Sequence, residues 1–361
     1  AVTDHEPTNG NPIPEPPSAT PSFQRRLAAP AMPSPRAASA PASEQDIVWF
    51  AETFSRLTAN ICRVIRGKND EVNLALLGLV SEGHLLLEDA PGLGKTSLAR
   101  ALAESISGDW QRIQFTPDLL PSDITGVSVW DPGSRHFEFR PGPVFANVVV
   151  GDEINRASPK TQSALLEVME ERQVTVDGHS RPVPTPFVVV ATQNPVEMDG
   201  TYHLPEAQLD RFLLKMSLGY PDLAAEVDIV LSRHGSAVVH LEPVVTLAEV
   251  QRMADISASV RLDPQLVQYA VSVVHASRTS ADVRLGASPR GSIGLLRAAQ
   301  SLAAAEGRTY AIADDVKRLA VPVLAHRLML SPDAQLRGVT AERVVTELLA
   351  TTAVPGGAEV G

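Results

Sequence analysis

The sequence predicts an α/β protein, with a parallel-sheet core in its first part and an all-helical domain in its second. Residues 148–150 and 188–190 are unbroken runs of valine, which are typical of strands buried on both faces of a parallel sheet. Other short apolar segments alternate with helical patterns up to residue 220. Beyond that residue the apolar side chains recur only at helical spacing.

The composition changes near residue 43. Residues 1–43 hold ten of the 29 prolines and nine alanines, without apolar periodicity. Such a segment cannot bury enough apolar surface to offset the entropy lost on ordering. We therefore predict a disordered tail at 1–43, a sheet domain at 44–220, a helical domain at 221–352 and a flexible C-terminus at 353–361. A docking motif within the tail stays open.

The first ordered element is a helix that begins after Ser43. The Ser43 hydroxyl can cap this helix together with Asp46, and apolar residues then recur every three or four positions as far as Val64. Gly67 ends the pattern, and a second helix is predicted at 71–80. Strands are predicted at 84–88, 112–115, 148–151, 187–191 and 213–218. Helices alone follow, at 222–234, 246–257, 263–278, 289–305, 312–327 and 341–351.

Composition and charge exclude several classes of protein. The net charge of −11 argues against a broadly basic nucleic-acid-binding surface, although a small basic patch on one loop stays open. The single cysteine, Cys62, excludes intrachain disulfides and CxxC metal sites, and the nine histidines show no ligand spacing. No apolar run approaches the roughly 18 residues of a spanning helix, so we expect no membrane insertion. Because no secretory leader is recognised, we expect a cytoplasmic protein.

A phosphate-binding loop follows the first predicted strand. Its pattern is GxxxxGK[ST], with an aspartate in place of the first glycine. Two glycines let backbone N–H groups turn inward, the lysine can reach the β- and γ-phosphates, and the threonine hydroxyl can ligate Mg²⁺. A glycine-rich surface turn is the alternative. The loop comprises Asp89, Ala90, Pro91, Gly92, Leu93, Gly94, Lys95, Thr96 and Ser97.

Two carboxylates end the valine strand at 148–150. A buried strand of an open α/β sheet delivers its C-terminal residues to the crevice where ligands bind. Asp152 can hold Mg²⁺ with Thr96, and Glu153 can polarise the attacking water. Alone, such a pair is equally typical of a solvated turn. Together with Lys95, it predicts a site for nucleotide hydrolysis.

The sequence segments around these motifs resemble those of the MoxR family of AAA+ ATPases, and they occur in the same order as in that family. The resemblance covers about residues 44–352, and it implies a P-loop AAA+ core with a helical lid. Asp89 departs from the usual phosphate-loop glycine. The matching segments are RIQFTPDLLPSD (112–123), GDEINRA (151–157), ATQNP (191–195), LPEAQLDRF (204–212) and GASPR (286–290).

The resemblance implies roles for three further residues. Asn194 would orient the lytic water or touch the γ-phosphate. Arg211 would act as an arginine finger on a neighbouring subunit, and Arg290 would reach either its own or the neighbour's phosphates. Arg156 has no clear role. The alternatives are a loop asparagine, a surface ion pair for Arg211 and a contact within the lid for Arg290.

Two hairpins fit the same resemblance. Residues 127–145 contain a turn at 131–134 and resemble the helix-2 insert of this clade. Residues 173–184 flank Asp177 and Gly178, a strong hairpin turn signal, and resemble its pre-sensor-1 hairpin. In related rings these hairpins face the pore or a partner. A solvent-exposed hairpin without function is the alternative.

The leading hypothesis is therefore an ATPase that hydrolyses ATP with Mg²⁺. The resemblance implies a homo-oligomeric, hexameric ring that remodels or assembles partner proteins, or helps to mature their metal centres. Proteins with von Willebrand factor A domains are its expected clients, and a client could bring it to a membrane. A nucleic-acid motor and a nucleotide-gated scaffold are the alternatives. Acidity argues against the first, and the intact Glu153 and Arg211 argue against the second.

Overall fold

The structure is a computed structural model that describes residues 41–90, 92–194, 202, 204–233 and 240–354. The predicted disordered tail at 1–43 and flexible C-terminus at 353–361 lie outside the described residues except at 41–43 and 353–354, and both stay predictions. The strands are β1 (Leu85–Glu88), β2 (Trp110–Gln114), β3 (Gly126–Asp131), β4 (His136–Pro141), β5 (Val148–Asp152), β6 (Gln173–Val176), β7 (His179–Pro182), β8 (Val188–Gln193), β9 (Leu214–Met216), β10 (Val283–Leu285) and β11 (Met329–Leu330).

The helices cover both the sheet part and the lid part of the chain. They are α1 (Glu44–Cys62), α2 (Asn69–Val80), α3 (Lys95–Ser105), α4 (Pro121–Thr125), α5 (Pro159–Glu171), α6 (Glu206–Leu209), α7 (Leu223–Arg233), α8 (Leu247–Ser259), α9 (Pro264–Ser277), α10 (Pro289–Ala305), α11 (Ala313–Leu324), α12 (Pro332–Leu336) and α13 (Ala341–Thr351). Short 3₁₀ turns lie at Ile154–Arg156 and Ala325–Arg327.

Five parallel strands form the central sheet, in the order β2-β5-β8-β1-β9. All five correspond to strands predicted from the sequence. Because every strand runs the same way, their carboxyl ends share one edge of the sheet and their amino ends share the other. We call these the carboxyl edge and the amino edge.

Alternate residues of the sheet enter two separate cores. Val148, Val150 and Leu87 pack into the larger core with α1, α2, α3 and the lid helices. Val149 and Leu86 pack into the second core, together with residues of α4 and α5. The valine runs are therefore buried on both faces, as their lack of polar alternation predicts.

The predicted cap of the first helix is confirmed. Ser43 has extended backbone angles, and its hydroxyl accepts a hydrogen bond from the Asp46 N–H at 3.1 Å. The same hydroxyl donates to the Asp46 carboxylate at 2.6 Å. Cys62 is the last residue of α1, and its half-buried thiol donates to the side-chain oxygen of Asn69.

Both predicted hairpins are present. In one, β3 and β4 pair in antiparallel fashion around a turn held by the Asp131 carboxylate. In the other, β6 and β7 pair around Asp177 and Gly178, and both turn residues have positive φ. The first hairpin exposes Trp130 and Phe137, whose rings contact each other edge to face at 5.3 Å.

The lid part is helical with one exception. The expectation of helices alone beyond residue 221 is wrong in this detail, because β10 and β11 form a short antiparallel pair. Strands of three and two residues are too short for a period-2 pattern to stand out from the helical pattern around them. The described residues all belong to one compact unit, so the domain boundary at 220/221 stays a prediction. Among them, no helix is both long and apolar enough to cross a membrane.

Candidate active site

The phosphate loop connects β1 to α3 at the carboxyl edge. Gly92 and Gly94 have left-handed φ angles of +87° and +91°, which side chains rarely adopt. A β-carbon at either glycine would meet no atom within 4 Å, so the space in front of the loop is open. Pro91 lies outside the described residues. Gly94 also precedes the first turn of α3, whose N–H groups have no carbonyl partner within the helix.

Lys95 is the first residue of α3 and is 9% exposed. Its ammonium group donates to the backbone carbonyl of Asp89 at 2.9 Å, so the lysine folds back across the loop. Thr96 follows it in the first helical turn, half-buried, while Ser97 is exposed. The loop thus combines a fixed cation, a helix N-terminus and an available hydroxyl, which together suit a phosphate group.

The side chain of Asp89 does not belong to this cradle. It is buried, and its carboxylate accepts hydrogen bonds from the Ser217 hydroxyl at 2.5 Å and from the N–H groups of Leu218 and Gly219 at 2.7 and 3.1 Å. These donors follow β9, where the chain leaves the sheet for the lid. Asp89 therefore joins the phosphate loop to the start of the lid, and only its backbone carbonyl serves Lys95.

Asp152 ends β5, the strand two places from β1 in the sheet. Its carboxylate accepts a hydrogen bond from the Thr192 hydroxyl at 2.6 Å and pairs with the Arg112 guanidinium at 2.6 Å. The Thr192 hydroxyl also accepts from the Glu153 N–H at 2.9 Å, so β8 fixes the acidic end of β5. Sequence analysis did not identify Arg112, although its alignment with Val150 on the neighbouring strand places it close.

Glu153 has a left-handed backbone, with φ of +56°. Its carboxylate pairs with the Arg156 guanidinium at 2.7 Å and accepts from the Gln114 amide at 3.3 Å. Non-glycine residues in this region are uncommon and are concentrated at functional sites. The structure thus brings Arg156, whose role the sequence left open, into direct contact with Glu153.

Asn194 directly follows β8. That strand pairs with β5 and with β1, as its predicted position beside the acidic strand requires. Asn194 thus lies at the carboxyl edge, two residues beyond Thr192, which bonds Asp152 and Glu153. The loop that follows it, at 195–201, lies outside the described residues.

Arg211 and Arg290 meet at one carboxylate. Arg211 Nε donates to Glu170 Oε2 at 2.8 Å, and Arg290 Nη2 donates to Glu170 Oε1. Arg290 is in the first turn of α10, capped by Ser288, as its position after Pro289 predicts. Partial burial raises the pKa of Glu170, but the two arginines outweigh that effect and hold the pKa below its ordinary value. We call Glu170, Arg211 and Arg290 the arginine cluster.

The arginine cluster lies at the amino edge. Phe212 and Leu213 lead into β9, and the Leu213 N–H donates to the carbonyl of His84, the residue before β1. His84 Nε2 in turn donates to the carbonyl of Met169, next to Glu170. The phosphate loop lies past the other end of β1, and its four residues span about 13 Å at ~3.3 Å each. The arginine cluster and the phosphate loop of one chain therefore lie at opposite edges.

A buried ion pair supports the arginine cluster from behind. Asp210 pairs with Arg327, whose side chain is 3% exposed, and accepts from the Ser288 hydroxyl at 2.8 Å. Arg327 also donates to the carbonyl of Phe212, and His326 Nε2 donates to the same carbonyl at 3.0 Å. The loop that carries Arg211 is thus fixed to the lid that carries Arg290. Sequence analysis missed Glu170 and Arg327, which lie in none of the matching segments, and gave no role to Asp210, which lies in LPEAQLDRF.

Comparisons with known proteins agree with this geometry. The model of the ATPase family associated with various cellular activities (AAA) matches residues 84–214, and the AAA lid domain model matches residues 275–348. The chain is 41% identical over 331 residues to Chaperone MoxR1 of Mycobacterium tuberculosis, covering 89% of this chain and 88% of the relative. The chain belongs to the MoxR family of AAA+ ATPases.

Two further relatives extend the match. The uncharacterized protein YeaC of Bacillus subtilis is 51% identical over 297 residues, which is 82% of this chain and 93% of the relative. A crystal structure of a candidate ATPase from Cytophaga hutchinsonii superposes with a TM-score of 0.81 at 34% identity, covering 86% of this chain and 97% of that one. The MoxR fold therefore extends over both the sheet and the lid.

The nucleotide and magnesium ion of AAA+ ATPases fit the residues at the carboxyl edge. The open space at Gly92 and Gly94 leaves room for phosphates against the backbone. Thr96 and Asp152 offer the oxygen donors that Mg²⁺ prefers, beside phosphate oxygens and water. Within the described ranges, no group of three or more His, Cys, Asp or Glu side chains could hold a metal ion.

Proposed function

We propose that this MoxR protein hydrolyses ATP at the contact between two copies of the chain. The observation that carries the proposal is the separation of its own half-sites. The phosphate loop, Asp152 and Glu153 lie at the carboxyl edge, while Arg211 and Arg290 lie at the amino edge. A complete site then forms when the amino edge of one copy meets the carboxyl edge of the next, which is the repeat of a closed ring.

Each residue of the carboxyl edge has a distinct task. Lys95 and the N–H groups around Gly94 bind the β- and γ-phosphates. Thr96 and Asp152 would hold Mg²⁺, which supplies charge neutralisation for the phosphoryl oxygens. Glu153 accepts the proton of the attacking water, and Asn194 orients that water. Arg211 and Arg290 of the adjoining copy stabilise the charge that develops on the γ-phosphate.

The observed contacts of Glu153 indicate a resting arrangement. Its carboxylate is engaged by Arg156 and Gln114, and a base that activates water must release at least one of them. Arg112 neutralises Asp152 in the same way. We assign Arg112 and Arg156 as counter-ions of Asp152 and Glu153, two carboxylates that lie close together.

The work driven by hydrolysis is the remodelling or assembly of partner proteins. The family and a relative named as a chaperone support this assignment. We propose that the protein forms a hexameric ring in the cytoplasm. Its clients would be proteins with von Willebrand factor A domains, which the ring would assemble or whose metal centres it would help to mature. Contact with a membrane would occur only through a client. The exposed Trp130 and Phe137 on the β3–β4 hairpin offer a contact surface for such a protein.

Mixing two inactive variants tests the shared site. Lys95→Ala removes the phosphate-loop cation but keeps Arg211, whereas Arg211→Ala removes the arginine but keeps the phosphate loop. Each variant alone should lose ATPase activity, by on the order of 10³–10⁵-fold for an arginine that acts across an interface. Mixed rings should regain activity, because some contacts pair an intact loop with an intact arginine. ATP turnover and ring size would be measured together.

A matched control tests whether the loss of any exposed arginine, rather than of Arg211 in particular, lowers turnover. Arg343→Ala removes an exposed arginine that pairs with Glu347 on α13, far along the chain from either edge. It should leave turnover unchanged, as should mixing it with wild type. A fully active monomer, or mixed rings verified by mass that stay inactive, would refute the arrangement between copies.

A further inference from the structure

We propose that Glu170 is a positioning residue that holds Arg211 and Arg290 as one pair, aimed at a single phosphate group of the adjoining copy. This inference rests on the proposed function and adds a residue to it. Glu170 does not touch the nucleotide of its own chain, because it lies at the amino edge. It acts through the two arginines.

The geometry shows one carboxylate shared by two arginines. Glu170 Oε2 accepts from Arg211 Nε, and Glu170 Oε1 accepts from Arg290 Nη2. Each carboxylate oxygen is thus used by a different guanidinium. The arginines come from positions 79 residues apart in the chain, and their side chains converge on this one residue of α5.

Two neighbouring cations need such a partner. Arg211 and Arg290 are 28% and 50% exposed, and without a carboxylate between them their like charges would drive them apart. A phosphate group carries the same kind of acceptor oxygens as a carboxylate and binds guanidinium groups in the same way. When the γ-phosphate of the adjoining copy arrives, it meets two arginines already set side by side.

The backbone behind the pair is also fixed. Asp210 precedes Arg211, and its half-buried carboxylate accepts from Ser288, the cap of the helix that carries Arg290. The hydrogen bond from Ser288 to Asp210 therefore joins the backbone before Arg211 to the start of the helix that carries Arg290, and the Arg327 ion pair holds Asp210 in place. Glu170 adds the last constraint, on the side chains themselves. An ordinary surface ion pair has no such backing and contributes little.

The test places Glu170→Gln in only one of the two chains that form each shared site. The parent mixture is Lys95→Ala, which donates arginines, with Arg211→Ala, which accepts them. Adding Glu170→Gln to the Lys95→Ala chain should lower kcat of the mixture by about 10- to 100-fold, since small misplacements of catalytic groups have effects of this size. The KM for ATP should stay unchanged, because the accepting phosphate loop is intact.

The reverse placement is the decisive control. Glu170→Gln on the Arg211→Ala chain sits in a copy that donates no useful arginine, so this mixture should match the parent. A role of Glu170 in folding would lower activity in both placements. Glu171→Gln, an exposed neighbour on the same helix, should have no effect in either chain.

A second measurement follows the ion pair itself. In a chain with ¹⁵N-labelled arginine, the Nε–H of Arg211 should exchange slowly with solvent and should be identified by its loss in Arg211→Lys. Glu170→Gln should accelerate this exchange, while Glu171→Gln should not. Equal activity in the two placements, with the parent mixture active, would overturn the role of Glu170. An inactive parent mixture would refute the shared site and the role of Glu170 with it.

Discussion

The two edges of the central sheet are built in opposite ways. The carboxyl edge binds through backbone: two glycines with positive φ, a helix N-terminus and one lysine folded across the loop. The amino edge presents side chains: Arg211 and Arg290, fixed by Glu170 in front and by Asp210 behind. The carboxyl edge offers open space beside its glycines, whereas the amino edge presents two positively charged side chains whose positions are already fixed. Within one chain, the phosphate loop and the two arginines therefore lie at opposite edges of the sheet.

Each edge also carries its own counter-ions. At the carboxyl edge, Arg112 and Arg156 neutralise Asp152 and Glu153. At the amino edge, Glu170 neutralises the two arginines. In the proposed arrangement, the γ-phosphate meets arginines that Glu170 still holds, whereas Glu153 must release one of its contacts before it can activate water.

Among the comparisons that remain, the largest effect is expected from Glu153 at the carboxyl edge. Glu153→Gln keeps the shape of the side chain but removes the base, so turnover should fall by about 10²–10⁴-fold. ATP binding should persist, because Lys95, Thr96 and Asp152 are unchanged. Rapid-quench turnover and binding of a fluorescent ATP analogue would be measured on the same sample. Wild-type turnover in this variant would show that another group activates the water.

The next prediction separates the edges for Arg290. An Arg211→Ala chain mixed with an Arg290→Ala chain should stay as inactive as the weaker variant alone. Both lesions lie at the amino edge, so every contact between copies lacks one of the two arginines. If Arg290 served its own phosphate loop instead, the contact of an Arg211→Ala loop with an Arg290→Ala donor would be complete. Recovered turnover in this mixture would therefore assign Arg290 to its own chain.

Sequence predicted the carboxyl edge far better than the amino edge, and the reason is physical. The phosphate loop is contiguous, and the acidic pair and Asn194 each end a valine strand, so short motifs contain most of their chemistry. The amino edge is assembled by folding: Glu170, Asp210 and Arg327 come from three distant segments. Only Arg211 and Arg290 could be proposed there, through the family resemblance, and nothing local indicated that they share a carboxylate.

Asp89 shows a second limit of motif matching. The pattern compares it with a glycine and treats it as a departure within the phosphate loop. The structure gives it no positive φ, and its carboxylate bonds three groups that follow β9. A residue can thus occupy a motif position and serve a different part of the chain. The short β10–β11 pair escaped prediction for a related reason, since its pairing is not local.

A stability measurement tests the role of Asp89. Asp89→Gly restores the usual motif glycine, yet it removes the acceptor of the Ser217, Leu218 and Gly219 donors. Leaving buried donors of a charged acceptor unsatisfied should lower the free energy of unfolding by about 2–3 kcal/mol. Urea unfolding of this variant would be compared with that of Glu82→Gly, a control in which glycine replaces another acidic residue, one whose backbone φ is already positive. Unchanged stability in Asp89→Gly would contradict the anchoring role.

Acid should weaken the amino edge. Burial, with the charge of Arg327, lowers the pKa of His326 from 6.5 to about 3, and burial also lowers that of His84. Below pH ~6.5 the unfolded chain takes up these protons while the folded chain does not. The free energy of unfolding therefore decreases as the pH is lowered, by about 1.4 kcal/mol per pH unit for each histidine. In His326→Gln this slope, measured by urea unfolding from pH 7 to 5, should be about halved. An unchanged slope would show that His326 is protonated in the folded protein.

The smallest effect is expected from residues 1–40, whose composition predicts disorder. Deleting residues 1–40 should leave turnover unchanged. It should change the free energy of unfolding by less than about 0.5 kcal/mol, the range seen for substitutions away from packed features. The N-cap Ser43 remains in that variant, and its hydroxyl holds the start of α1. Ser43→Ala in the full chain should cost about 1 kcal/mol, since a helix cap is lost. A deletion that costs more than Ser43→Ala would mean that residues 1–40 pack against one of the edges.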